Sequence, residues 1–97
     1  MFIKRLSEAA KPTQQLKPAA MLAQIVALIP DEYKTNRQYS FCIEMLENGE
    51  WGLALESLLD LADETGYSFG PEIWHGLAVA ADKMQLNTEA AFCRKQF

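Results

Sequence analysis

Histidine occurs once in this chain, as His75, and cysteine twice, as Cys42 and Cys93. From Gln38 to Asp82 there is neither lysine nor arginine. These scarcities exclude several chemistries. His75 has no second ligand at i+3 or i+4, so zinc coordination of the usual kind has no donor set. Ser57 has no histidine near it in sequence to activate it. No calcium-loop spacing, no GxGxxG and no GxxxxGK[ST] is found, which removes the common cation and phosphate cradles. No cofactor, metal or catalytic residue is therefore expected. Cys42 falls on an apolar stripe and Cys93 lies near the end of the chain, so both read as free thiols rather than as a bridge or nucleophile.

Long hydrophobic runs are also missing. The longest apolar segment, Pro18 to Pro30, is bounded by prolines and falls short of the ~20 residues a membrane-spanning helix needs. The early charges Lys4 and Arg5 are followed by Leu6-Ser7-Glu8-Ala9-Ala10-Lys11, with none of the apolar core of a secretory signal. The expectation is a cytoplasmic protein without a membrane partner. Sustained period-two alternation and hairpin turns are absent too, which argues against strands.

What remains is an ordinary globular composition: 97 residues, 49% hydrophobic and 23% charged, with a net charge of −4. A chain of this size forms one domain with one modest core, spanning residues 1–97. The charge is polarised. Residues 1–37 hold six bases and three acids, whereas Gln38–Asp82 holds nine acids and no base. Nucleic acid is excluded as a partner, because phosphate binding needs clustered Lys and Arg. An acidic centre attracts basic partners, although the same acids would also serve solubility alone.

The periodicity predicts a small all-α bundle of four or five short antiparallel helices. Residues 1–16, interrupted by Pro12, read as a weakly ordered segment with room for a short helix at Ile3–Ala10. A helix follows over Pro18–Ile29, with Met21, Leu22, Ile25, Leu28 and Ile29 on one face. Asp31-Glu32 can cap a turn. A second helix begins near Asn36, carries Tyr39, Cys42, Ile43 and Leu46 as its stripe with Phe41 outside it, and stops at Asn48-Gly49. A third spans Glu50–Glu64 and ends at Gly66. A fourth starts at Pro71 and runs to Met84, with Ile73, Trp74, Leu77, Ala80, Ala81 and Met84 inward and Glu72, His75, Val79, Asp82 and Lys83 outward. Leu86-Asn87-Thr88-Glu89 can cap a last helix, Glu89–Lys95, packed by Phe92.

The third helix carries the functional signal. At about 100° per residue, Trp51, Ala54, Leu55, Leu58, Leu59, Leu61 and Ala62 share an arc of roughly 160°. The opposite arc holds Glu56, Ser57, Asp60, Asp63 and Glu64, with Leu53 among the acids. Like charges one turn apart cost a few tenths of a kcal/mol per pair, and no base on this helix relieves them. Asp63 and Glu64 also sit where the helix macrodipole disfavours negative charge. Fold stability does not call for this pattern; a basic partner would. Leu53, Glu56, Asp60, Asp63 and Glu64 are thus the candidate binding residues, with Leu53 as apolar anchor. Glu72, His75 and Asp82 form a second candidate face.

The run Glu47-Asn48-Gly49-Glu50-Trp51-Gly52-Leu53-Ala54-Leu55-Glu56, followed by the helix from Ile73 to Met84, resembles the small immunity proteins of bacterial polymorphic toxin systems. The likeness is to those paired with Maf-type and contact-dependent growth inhibition toxins. It covers roughly residues 39–86. Gly-Glu-Trp followed by Ala-Leu-Glu is its distinctive part, and the rest is general amphipathic helix. The resemblance implies a cytoplasmic antidote that binds and blocks a cognate toxin domain. Such toxins are often nucleases, whose phosphate-holding surfaces are basic. The partner expected is therefore a basic toxin domain, bound by a monomer or small homo-oligomer. The alternative is a non-catalytic helical adaptor or subunit unrelated to toxins. A small carboxylate enzyme would need a pocket that brings acids together, and acids along one exposed helix face do not make one.

Overall fold

Proline and glycine punctuate the chain where its helices begin and end. A computed structural model describes residues 17–97; the short helix read at Ile3–Ala10 lies outside the described residues. Among the described residues there are five helices: α1 (Pro18–Ala27), α2 (Arg37–Glu47), α3 (Trp51–Thr65), α4 (Pro71–Lys83) and α5 (Asn87–Arg94), with a 3-10 turn at Asp31–Tyr33. No strand occurs among the described residues, and the architecture is the all-α bundle that the periodicity predicts.

The boundaries have local causes. Pro18 and Pro71 occupy first-turn positions, where a missing N–H costs nothing. The spacing predicts α1 to Ile29, but it ends two residues earlier. The N–H groups of Leu28 and Ile29 reach back only three residues, to Ile25 and Val26, and Pro30 disfavours helical backbone at the residue before it. The Asn36 side chain caps α2 by accepting the Gln38 N–H at 2.7 Å. Gly49 at φ 76 then turns the chain, and the Glu50 N–H closes onto the Met45 carbonyl at 2.8 Å. The same closure ends α4, with Gln85 instead of glycine at φ 61 and the Leu86 N–H on the Ala81 carbonyl at 2.8 Å. That turn leads straight into α5. Leu86, the first residue of the stretch read as a cap, therefore takes the N-cap position, and no side chain caps α5.

α2 and α3 pair as an antiparallel hairpin: Gln38, at the start of α2, hydrogen-bonds Glu64, near the end of α3. α5 folds back along α4, bringing Phe92 to Trp74 and Phe97 to His75. α1 contacts α2, α3 and, most extensively, α4. A Cβ on Gly76 would lie 3.4 Å from Ile25 Cδ1, so the glycine sets how closely α4 approaches α1. Met21, Leu22, Leu55, Leu58, Leu61, Leu77 and both cysteines have essentially no exposure.

Tertiary structure corrects several wheel positions. Trp51 points in the apolar direction but is 37% exposed, because it stands in the first turn of α3, at the end of the bundle. A wheel gives direction and not whether a neighbour exists at that level. Leu28 is 63% exposed for a like reason: it follows the last residue of α1 and borders an open cleft with Glu72 and Ile73. Val26 is buried in its place, since α1 is covered on more than one side. Val79, read as outward, is partly buried against the core, and Ile73, read as inward, is also only partly buried. Ser57, assigned to the polar arc, is buried, and its hydroxyl is satisfied by donating to the Leu53 carbonyl at 2.9 Å. Phe92 is 47% exposed, and Ala90 and Cys93 are the buried residues of α5.

Two leucines of α3 test this arrangement by contrast. Leu58→Ala should lower unfolding free energy by about 2–5 kcal/mol in urea denaturation. Leu53→Ala, the same change on the exposed side, should stay within about 0.5 kcal/mol. Equal losses would mean that the helix is turned wrongly about its axis.

Candidate partner-binding site

The face of α3 that the core does not use is the candidate site. Burial of Ala54, Leu55, Ser57, Leu58 and Leu61 turns Leu53, Glu56, Asp60, Asp63 and Glu64 outward. Leu53 retains 43% of its surface. The structure thus brings the first candidate set onto one ridge. Among the described residues no base pairs with Glu56, Asp60 or Asp63.

Glu64 differs from its neighbours. Gln38 Nε2 donates to its carboxylate at 2.8 Å, and the Arg37 guanidinium lies 3.7 Å away. The repulsion at this end of α3 is therefore relieved from α2, a correction to the uncompensated arc. The pair joins residues far apart in sequence, beyond what helical spacing can show. Phe41, one turn beyond Gln38 on α2, is exposed and lines a shallow cleft with Arg37 and Gln38. It was legible only as a hydrophobe outside its stripe.

The second candidate set lies along α4. Glu72 stands in the first turn of α4, and both it and His75 border a cleft with Pro71 and Phe97. The His75 ring meets Phe97 edge-on at 5.8 Å. Asp82 is held by a forked pair with Arg94 of α5. That hydrogen bond keeps the Asp82 carboxyl below its ordinary range and raises the guanidinium. A carboxyl depressed in the folded state stabilises above its unfolded pKa and loses that contribution as pH falls. Asp82 therefore also ties α4 to α5, while Glu72, His75 and Asp82 all remain exposed.

No group of three or more His, Cys, Asp or Glu side chains that could hold a metal occurs among the described residues. No helix among them is long and apolar enough to cross a membrane. Burial pushes both thiols up to about 11, Cys93 further helped by Glu89. Neither is a thiolate near neutral pH. No protein-family model, curated protein or solved structure matches the chain.

The thiols give a direct check on burial. At pH 8 a colorimetric thiol reagent should leave the native protein unmodified over minutes and titrate both cysteines in denaturant. Rapid modification of the native protein would contradict the placement of Cys42 and Cys93 in the core.

Proposed function

We propose that this protein is a non-catalytic binding module whose α3 ridge neutralises a basic protein partner, and that the partner is a toxin domain. The observation that carries the reading is the division of α3. Its inner face is closed against the rest of the bundle, while Glu56, Asp60 and Asp63 stand in water without a described counter-charge, beside the exposed Leu53. A surface of this kind steers a basic protein to it and accelerates encounter. Leu53 supplies a small apolar contact within the charged ring, the arrangement of an anchor surrounded by a polar rim. The Gly49-Glu50-Trp51 and Ala54-Leu55-Glu56 pattern supports the narrower assignment to a cytoplasmic immunity protein. A nuclease is the toxin class that fits, because its substrate-holding surface must be basic.

The partner is to be sought as the product of the neighbouring gene, by co-expression and pull-down. Asp60→Lys, at the middle of the ridge, should weaken that complex about tenfold or more. Truncating one member of a desolvated charge pair costs on the order of 2–5 kcal/mol. The same change should leave the melting temperature unchanged or slightly raised, because it relieves repulsion with Glu56 and Glu64 one turn away. Calorimetric binding and melting curves on one preparation separate the two effects. Stopped-flow association should slow markedly as salt is raised. Unchanged affinity with a salt-independent on-rate would place the interface elsewhere.

A further inference from the structure

We infer that the cleft between the C-terminal half of α3 and α5 is a receptor for one arginine side chain of the basic partner, an inference that rests on the ridge being the partner-binding face. The cleft has a volume of about 270 Å³, at or below the smallest small-molecule sites, which run ~300–1,000 Å³. Leu59 and Ala62 of α3 line it with apolar surface, and Tyr67, Trp74 and Phe92 line it with aromatic rings. The charged group lining it is Asp63, an outward-facing acid of the ridge.

This combination selects among side chains. A guanidinium is planar and weakly hydrated, stacks on aromatic faces and forms forked hydrogen bonds to a carboxylate. Its methylene stem covers apolar surface while the charge meets Asp63. A neutral apolar side chain would take water from Asp63 and return no partner. The lysine ammonium is compact and strongly hydrated, and makes poorer use of the rings.

The walls are set before anything binds. Tyr67 packs on Phe69 at 5.2 Å, Phe69 on Trp74 at 5.0 Å, and Trp74 on Phe92 at 6.1 Å, each close to edge-on. Little ordering cost is left for the binding step. The exposure of Phe92, which the core leaves unexplained, becomes that of an open wall.

The test is an NMR titration of the full-length protein with the blocked tripeptide acetyl-Gly-Arg-Gly-amide, observing the Trp74 indole and the Phe92 ring. A saturable response with Kd on the order of millimolar is expected. The citrulline analogue, nearly the same shape without charge, and the lysine analogue should each bind several-fold more weakly. Asp63→Asn and Phe92→Leu should each weaken arginine binding about fivefold or more. Both alter exposed side chains, so the fold should persist in the same spectra. Glu44→Gln, an exposed change on α2 outside both the ridge and the cleft, should leave it unchanged. A non-saturating response, equal binding of citrulline or lysine, or indifference to Asp63→Asn overturns the inference. Partner binding that still collapses on Asp60→Lys would then leave the ridge standing. A normal arginine response with partner binding indifferent to Asp60→Lys would remove the ridge and not the cleft.

Discussion

Everything in this fold depends on keeping the carboxylates of α3 in water. An ionised carboxylate cannot be buried unpaired, and the outer face of α3 carries four acids. The other elements must therefore gather on the opposite side of this helix. α1, α2 and α4 all contact this helix, and Leu55, Leu58 and Leu61 become fully buried. One helix meets two demands, with the apolar arc organising the core and the acidic arc held clear of it.

The fold was largely legible because its signals are local. Pro18, Asn36, Gly49, Gly66 and Pro71 mark helix ends by backbone chemistry that needs no tertiary context, and each end falls within two residues of its expected place. The core leucines of α3 and α4 follow from period alone. What periodicity could not supply was level and neighbour. Trp51, Leu28 and Phe92 point inward on a wheel yet lie at ends or edges where nothing covers them. Ser57 shows the reverse, a polar residue buried because its hydroxyl finds the Leu53 carbonyl within its own helix.

The candidate site was legible in part for the same reasons. Leu53, Glu56, Asp60, Asp63 and Glu64 share a face by spacing, and the structure keeps them together. The attachment of Glu64 to Arg37 and Gln38 was hidden, because it depends on how α2 lies along α3. So was the pairing of Asp82 with Arg94, which ties α4 to α5. Both contacts lessen repulsion at helix ends. They leave Glu56, Asp60 and Asp63 as the acids of the ridge without a described partner. The cleft beside Asp63 needed three-dimensional information altogether, since its walls come from α3, α4, α5 and the loop between α3 and α4.

The central claim is that the ridge meets a basic partner by direct charge pairing. The most direct measurement is a screen of partner variants for restored binding to the Asp60→Lys protein. The account predicts suppressors in which a partner lysine or arginine becomes aspartate or glutamate, and which bind wild-type protein poorly. Suppressors that leave the partner's charge unchanged, or an Asp60→Lys protein that binds the unaltered partner normally, would contradict it.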